Sequence, residues 1–320
     1  MSDEITYRRA AETDAERTYN VFLEAADDLN RKMGRPQVAG GGAPPARAIR
    51  FRHSSVRHDH DRFWVAEAGG RIVGFAIATL RDDVWYLAAL HVVPEYQSRG
   101  IGTELIRRSL SGTGPSTVLT VFTDAANPAS NGLYLRFGML PQEPILTFDG
   151  PIRGPGTVPA PESRGASGAA TEPGVGAPFD SRPIDLATDQ PALAGLDRGA
   201  VGFARPMDHE FWAGVEGLDG RMLVRGGDVQ GYLYVSSVGQ VGPIAVGDSD
   251  DVPPALDVAA DLARVRGATS LHIRIAGSAW PGQRWILERG LRLSGIGLML
   301  SSSPVGRLDR YVSSGGDALY

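Results

Sequence analysis

The 320-residue sequence predicts a mixed α/β (α+β) protein built as two similar halves. Three observations carry this prediction. Segments with strand and helix signatures alternate along the chain. A stretch dominated by Gly, Pro and Ala, "GPIRGPGTVPAPESRGASGAATEPGVGAP" at 150–178, cuts the chain near its middle and has too little apolar side chain to offset its ordering entropy. The second half then repeats the order of the first, as a tandem copy of one ~140-residue unit would. The expected organisation is a domain at 1–149, a linker at 150–180 and a second domain at 181–320.

The elements follow in order. "ITYRRA" reads as a strand, and Thr13 with Glu16 forms a capping box ahead of a helix carrying Tyr19, Phe22, Ala26, Leu29 and Met33 at helical spacing. "GRPQVAGGGAPPARA" at 34–48 is a long loop. Residues 62–80 form a hairpin of two apolar runs about Gly69-Gly70, and 84–93 form a further strand. A helix at 102–110 presents Leu105, Ile106 and Leu110; a strand rich in β-branched residues occupies 116–124. A short helix at 130–138 closes on Gly138, and "ILTF" at 145–148 is the last strand of the half. In the second half "LATDQPALAGL" echoes "AETDAERTYNVF", Gly231 echoes Gly74, and "ILERGLRL" echoes "LYLRFGML" with Gly290 at the place of Gly138.

Composition removes several chemistries. With 42% hydrophobic residues the chain can build packed cores. No cysteine is present, which excludes disulfides, thiolate nucleophiles and Cys-ligated metals. Lys32 is the only lysine and lacks the glycine pattern of a P-loop, so neither Walker chemistry nor a pyridoxal Schiff base is expected. A net charge of −5 without a Lys/Arg run argues against nucleic acid. No apolar run approaches the ~18 residues of a membrane span, and the charged start lacks an apolar leader, so the expected setting is cytoplasmic, without a membrane. "RHDHD" at 57–61 hints at a metal, but its charges are expected to face solvent, and no metal is expected.

"PEYQSRGIGTELI" at 94–106 asks for a ligand. A loop follows an apolar strand, holds Gly100 and Gly102, and runs at once into a helix. That geometry aims backbone N–H groups and the positive end of the helix at one spot, where a phosphate fits. A strand-to-helix turn that needs positive φ would account for the same glycines. A dinucleotide fingerprint does not, because Leu105 stands where its third glycine belongs.

The stretch "LHVVPEYQSRGIGTELI" resembles motif A of the GNAT superfamily of acetyl-CoA-dependent N-acetyltransferases. "TDAANPASNGLYLRFGML" at 123–140 resembles its motif B, at the usual separation. The resemblance covers about residues 5–149; in the second half it extends to the fold and not to the motifs. It implies two tandem units, each with a mixed, mostly antiparallel central sheet flanked by helices. It implies acetyl-CoA as co-substrate and a primary amine of a small molecule or peptide as acceptor. The pantetheine would pair with the backbone of Leu90, His91 and Val92, and the pyrophosphate would lie on amides of Ser98, Arg99, Gly100, Ile101, Gly102 and Thr103. Arg99 adds charge at the rim, and the Thr103 hydroxyl reaches towards a phosphate. Asn127 matches the position that hydrogen-bonds pantetheine, Tyr134 the general acid, and the Val92 N–H the oxyanion donor.

One position departs from the family. Phe122 stands where some members carry a basic Glu, which leaves Asp124, His91, Asp82, Asp83 or a water relay as base. In the second half Ile286 and Ala279 replace Tyr134 and Asn127, and Asp248, Asp250 and Asp251 would repel a pyrophosphate. This half is expected to bind no acetyl-CoA productively and to wall the acceptor pocket, together with the 34–48 loop. The alternative is a non-catalytic acyl-CoA-binding regulatory module. A homodimer is compatible with both.

Overall fold

The computed structural model describes residues 4–38, 44–153 and 178–314. Most of the expected linker, and positions 39–43 of the 34–48 loop, lie outside the described residues. The first half runs β1 (Ile5–Arg9), α1 (Ala15–Lys32), α2 (Ala46–His58), β2 (Phe63–Ala68), β3 (Arg71–Arg81), β4 (Val84–Val92), α3 (Ile101–Ser109), β5 (Val118–Asp124), α4 (Pro128–Arg136) and β6 (Leu140–Pro151). The second runs β7 (Asp180–Pro183), α5 (Leu186–Ala200), α6 (Pro206–Ala213), β8 (Leu218–Arg225), β9 (Asp228–Ser236), β10 (Gln240–Val246), α7 (Val252–Val265), β11 (Ser270–Ala276), α8 (Trp280–Glu288), β12 (Arg292–Ser301) and β13 (Tyr311–Ser313). Among the described residues no helix is long and apolar enough to cross a membrane.

Local chemistry sets most of these boundaries. Gly69 and Gly70 take φ of 54° and 80°, which the two-residue turn between β2 and β3 requires. The start of α1 differs from expectation. In place of a Thr13–Glu16 box, buried Asp14 accepts the Ala11 N–H at 2.9 Å and pairs with Arg8 at 2.6 Å. Asp189 repeats the device with the Asp185 N–H at 2.8 Å and Arg182 at 2.6 Å. Helix α2 covers the end of the expected 34–48 loop and the stretch after it, to which the sequence reading assigned no element. Its Arg-rich sequence buries just Phe51, Arg52 and Ser55, too few for a clear apolar stripe.

Among the described residues all thirteen strands join one sheet, in the order β1-β2-β3-β4-β5-β12-β6-β11-β13-β10-β9-β8-β7. The pairing is antiparallel except for β4–β5 and β10–β11. The halves exchange strands at the centre. β12, from the second half, inserts between β5 and β6; β6, from the first, inserts between β12 and β11. The long β6–β12 ladder runs from Leu140↔Ser301 to Asp149↔Arg292. Each half is therefore completed by a strand of the other.

The repeat survives at residue level. Gly74 lies opposite Val92 and Gly231 opposite Val246, each where a Cβ would crowd the facing strand. Gly138 and Gly290 both end a helix, at φ 78° and 75°. Beside the strand exchange a buried ion network joins the halves. Arg81, at the end of β3, donates to both oxygens of Asp59 at 2.7 and 2.9 Å and to Asp208 of α6 at 3.1 Å. The charge at Asp59 thus faces the other half and not solvent, contrary to expectation. Phe51 meets Phe211 edge-on at 6.1 Å beside it.

Candidate active site

β4 and β5 pair in parallel from Val84↔Val118 to Leu87↔Val121, and there the ladder stops. A bulge at Ala88, where the β3 register shifts between Ile77 and Ala78, coincides with that point. An extra residue bends a strand, so β4 turns away and a cleft opens between its last residues and Phe122–Asp124. The Val93 N–H donates to Val73 at 2.9 Å, which fixes the phase of the β3–β4 ladder. By alternation the backbone of His91 faces Phe75 on β3, while Leu90 and Val92 turn their N–H and C=O towards the cleft. The Val92 carbonyl accepts from Gln97 Nε2 at 3.0 Å, and its N–H points the same way.

The loop after β4 presents a row of amides. Ser98 has φ 61°, and Gly100, the N-cap residue of α3, has φ 81°. No side chain caps this helix. Its first intrahelical bond runs from the Glu104 N–H to the Gly100 carbonyl at 3.1 Å, so the N–H groups of Ile101, Gly102 and Thr103 project from the positive end of the helix. The two glycines differ in purpose. A Cβ on Gly100 would meet open space, so glycine is needed there for its backbone conformation. A Cβ on Gly102 would sit 3.3 Å from Leu133 and 3.8 Å from Leu90, so that glycine lets α3 approach α4. The Arg99 guanidinium lies 4.8 Å over the Tyr96 ring at the loop's rim.

Tyr134 comes from α4 and is buried. Burial pushes its hydroxyl up to about 12, against the opposing effect of a hydrogen bond with Ser130. Asn127 caps α4, its side-chain oxygen accepting the Ser130 N–H at 3.3 Å. That leaves the two amide donors of Asn127 for a ligand.

The candidate bases separate clearly. His91 keeps some exposed surface, but its imidazole packs 5.1 Å from the Phe22 ring and 5.4 Å from that of Phe75. Burial, with help from the Arg52 guanidinium, lowers its pKa to about 4. Asp82 and Asp83 lie in the β3–β4 turn, at the far end of β4 from Val92 and roughly 30 Å away along the strand. Asp82 is committed to the other half, accepting from Arg198 and from the Ala204 N–H at 3.0 Å each. Asp124 alone stands at the cleft, paired with Arg35 from the chain just beyond α1. Burial raises its pKa, but Arg35 and the Ala126 N–H outweigh this and hold it below the usual carboxylate range.

The second half contributes to this site in a way sequence reasoning missed. Phe122 lies over Gly297 of β12, where a Cβ would be 2.4 Å from the ring. Arg274 of β11 reaches across, its guanidinium 5.6 Å from the same ring. Buried Tyr86 of β4 lies within electrostatic range of Tyr134 and Arg274. No local signal joins these residues, because strand exchange brings them together. In the second half's own loop Asp248 accepts the Asp250 N–H at 3.0 Å, and Asp251 pairs with Arg225 at 2.6 Å. Ile286 and Ala279 are buried. Among the described residues no group of His, Asp or Glu is arranged to hold a metal ion.

Known proteins share this architecture. The structure of a putative acetyltransferase from Pyrococcus horikoshii superposes with a TM-score of 0.67 at 19% identity, covering 99% of this chain and 96% of that one. A tandem GNAT protein from the clavulanic acid biosynthesis pathway superposes with a TM-score of 0.56 at 15% identity, covering 94% and 99%. These likenesses define the class by fold: a tandem pair of GNAT-type units. In sequence, residues 24–139 match the family model described as Acetyltransferase (GNAT) family. A mycothiol acetyltransferase of Rhodococcus opacus (strain B4) is 31% identical over 130 residues, 40% of this chain and 42% of that protein. The matched region thus spans less than half of that relative. Residues 24–139 are thus similar in sequence to the GNAT family of acetyltransferases.

Proposed function

We propose that the protein is an acetyl-CoA-dependent N-acetyltransferase whose active site lies in the first half, taking a primary amine of a small molecule or peptide as acceptor. The observation that carries this reading is the open cleft between β4 and β5, with Leu90 and Val92 turned into it and the uncapped α3 amides at its end. An extended amide-bearing arm suits the strand edge, and a pyrophosphate suits the helix end. The Asn127 amide donates to the arm. The similarity to a mycothiol acetyltransferase supports acetyl transfer.

In this reading the neutral amine attacks the thioester carbonyl and forms a new C–N bond. The Val92 N–H donates to the oxyanion. As the C–S bond breaks, Tyr134 passes its proton to the leaving thiolate. The amine's proton goes to Asp124 or to a water relay, because the other candidates are weak, remote or committed elsewhere. Residues 1–149 form the catalytic unit, 150–180 connect, and 181–320 form a degenerate unit that walls the acceptor side, with Arg274 and Phe122 over β12.

The test is turnover of acetyl-CoA against an amine panel, compared with Tyr134→Phe. Full activity in that variant removes the acid assignment. Phe122 at the position of the family's Glu favours a second reading, a regulatory module that holds acyl-CoA without turnover. Calorimetry showing tight CoA binding with no acetylation of any amine would support it.

A further inference from the structure

The second half has the same parallel strand pair as the first. β10 and β11 pair at Gln240↔His272 and Val241↔Ile273 and then part, with a register shift after Val241, as β4 and β5 part after Leu87↔Val121. In the first half the chain leaves the resulting gap open among the described residues. In the second half β13 lies in it. Val312 pairs with Ile244 on one side and Ile275 on the other; Tyr311 faces Ala245 and Ser313 faces Arg274. By the repeat, Ile244 and Ala245 stand where Leu90 and His91 stand in the first half.

The occupant is anchored. The Tyr311 hydroxyl accepts from Arg205 Nη1 at 3.0 Å. Arg205 donates in turn to Asp197 at 2.9 Å and to the Tyr232 hydroxyl at 2.7 Å, and His209 bonds Asp197 at 2.9 Å. These side chains are all buried, so removing β13 would break the Tyr311–Arg205 bond inside the core and leave two bare strand edges.

We propose that β13 is a built-in ligand of the second half: a three-residue strand of this chain fills the cleft where the first half would hold an extended thioester arm. The second half is then a self-liganded scaffold, and the chain takes one acetyl-CoA, not two. The proposal rests on the reading of the first half only for the identity of the excluded molecule. What fills the second cleft is extended peptide, recognised through its backbone and held by one phenol.

Hydrogen–deuterium exchange on the full chain, with and without saturating CoA, tests it. Peptides covering 308–314 should exchange at least ~100-fold more slowly than an unprotected strand, like 240–246, and should not change with CoA. Peptides covering 84–103 should slow when CoA is added. Fast exchange at 308–314, acceleration there with CoA, or two CoA molecules per chain by native mass spectrometry would overturn the proposal. Slow exchange at 308–314 with no CoA effect at 84–103 would uphold β13 as the occupant and count against the first half's assigned ligand.

Discussion

At the scale of single residues, burial decides which titratable groups can act. Tyr134 is buried and its pKa is pushed up to about 12, so it stays a proton donor throughout the neutral and mildly alkaline range. Tyr134→Phe should lower kcat by about 10²–10⁴-fold while CoA affinity holds, measured by steady-state kinetics and calorimetry. His91 shows burial acting the other way. Its pKa of about 4 lies below the ordinary 6.5. Between those values the unfolded chain binds a proton that the folded chain does not, so His91 makes stability rise with pH over that window and fall on acidification. Urea unfolding of the wild type and His91→Phe at pH 7 and pH 5 should show a smaller acid loss in the variant; an equal loss would refute the assignment. The placement of Tyr134 on α4 and of Asn127 just before it was legible in sequence because a local motif holds them. The base was not, because whether His91, Asp82 or Asp124 can act depends on neighbours far along the chain.

At the scale of elements, the α3 turn was visible in the sequence as two glycines, but their separate reasons were not. Gly100 has open space around its Cβ position and a left-handed φ, so Gly100→Ala should cost about 1–2 kcal/mol without a clash. Chemical denaturation measures this, and no loss would mean that the turn adopts another conformation. Gly102→Ala presses on Leu133 and should instead shift α3 against α4, raising the apparent Kd for CoA. The strands of the first half were readable from their apolar and β-branched runs and the β2–β3 turn from its glycine pair. Helix α2 was not, since it buries an arginine, a serine and one aromatic in place of an apolar stripe.

At the scale of the whole molecule, strand exchange makes the two halves one cooperative body. Calorimetric unfolding should show a single transition, and two well-separated transitions would contradict the shared β6–β12 ladder. The Arg81 network works in the same direction. Asp59→Asn leaves a buried guanidinium short of a partner and should cost about 3–5 kcal/mol. The sequence by itself determined the α/β class, the tandem repeat, the glycine loop and the short helix that carries Tyr134, because each is written in spacing over at most a few tens of residues. Only the tertiary structure decided that β6 and β12 change places, that Arg274 covers Phe122, that Asp59 serves an interface, and that β13 fills the second cleft. These are pairings between segments as much as about 180 residues apart, set by which edges and buried charges find partners once the chain is compact, and local periodicity carries no record of them.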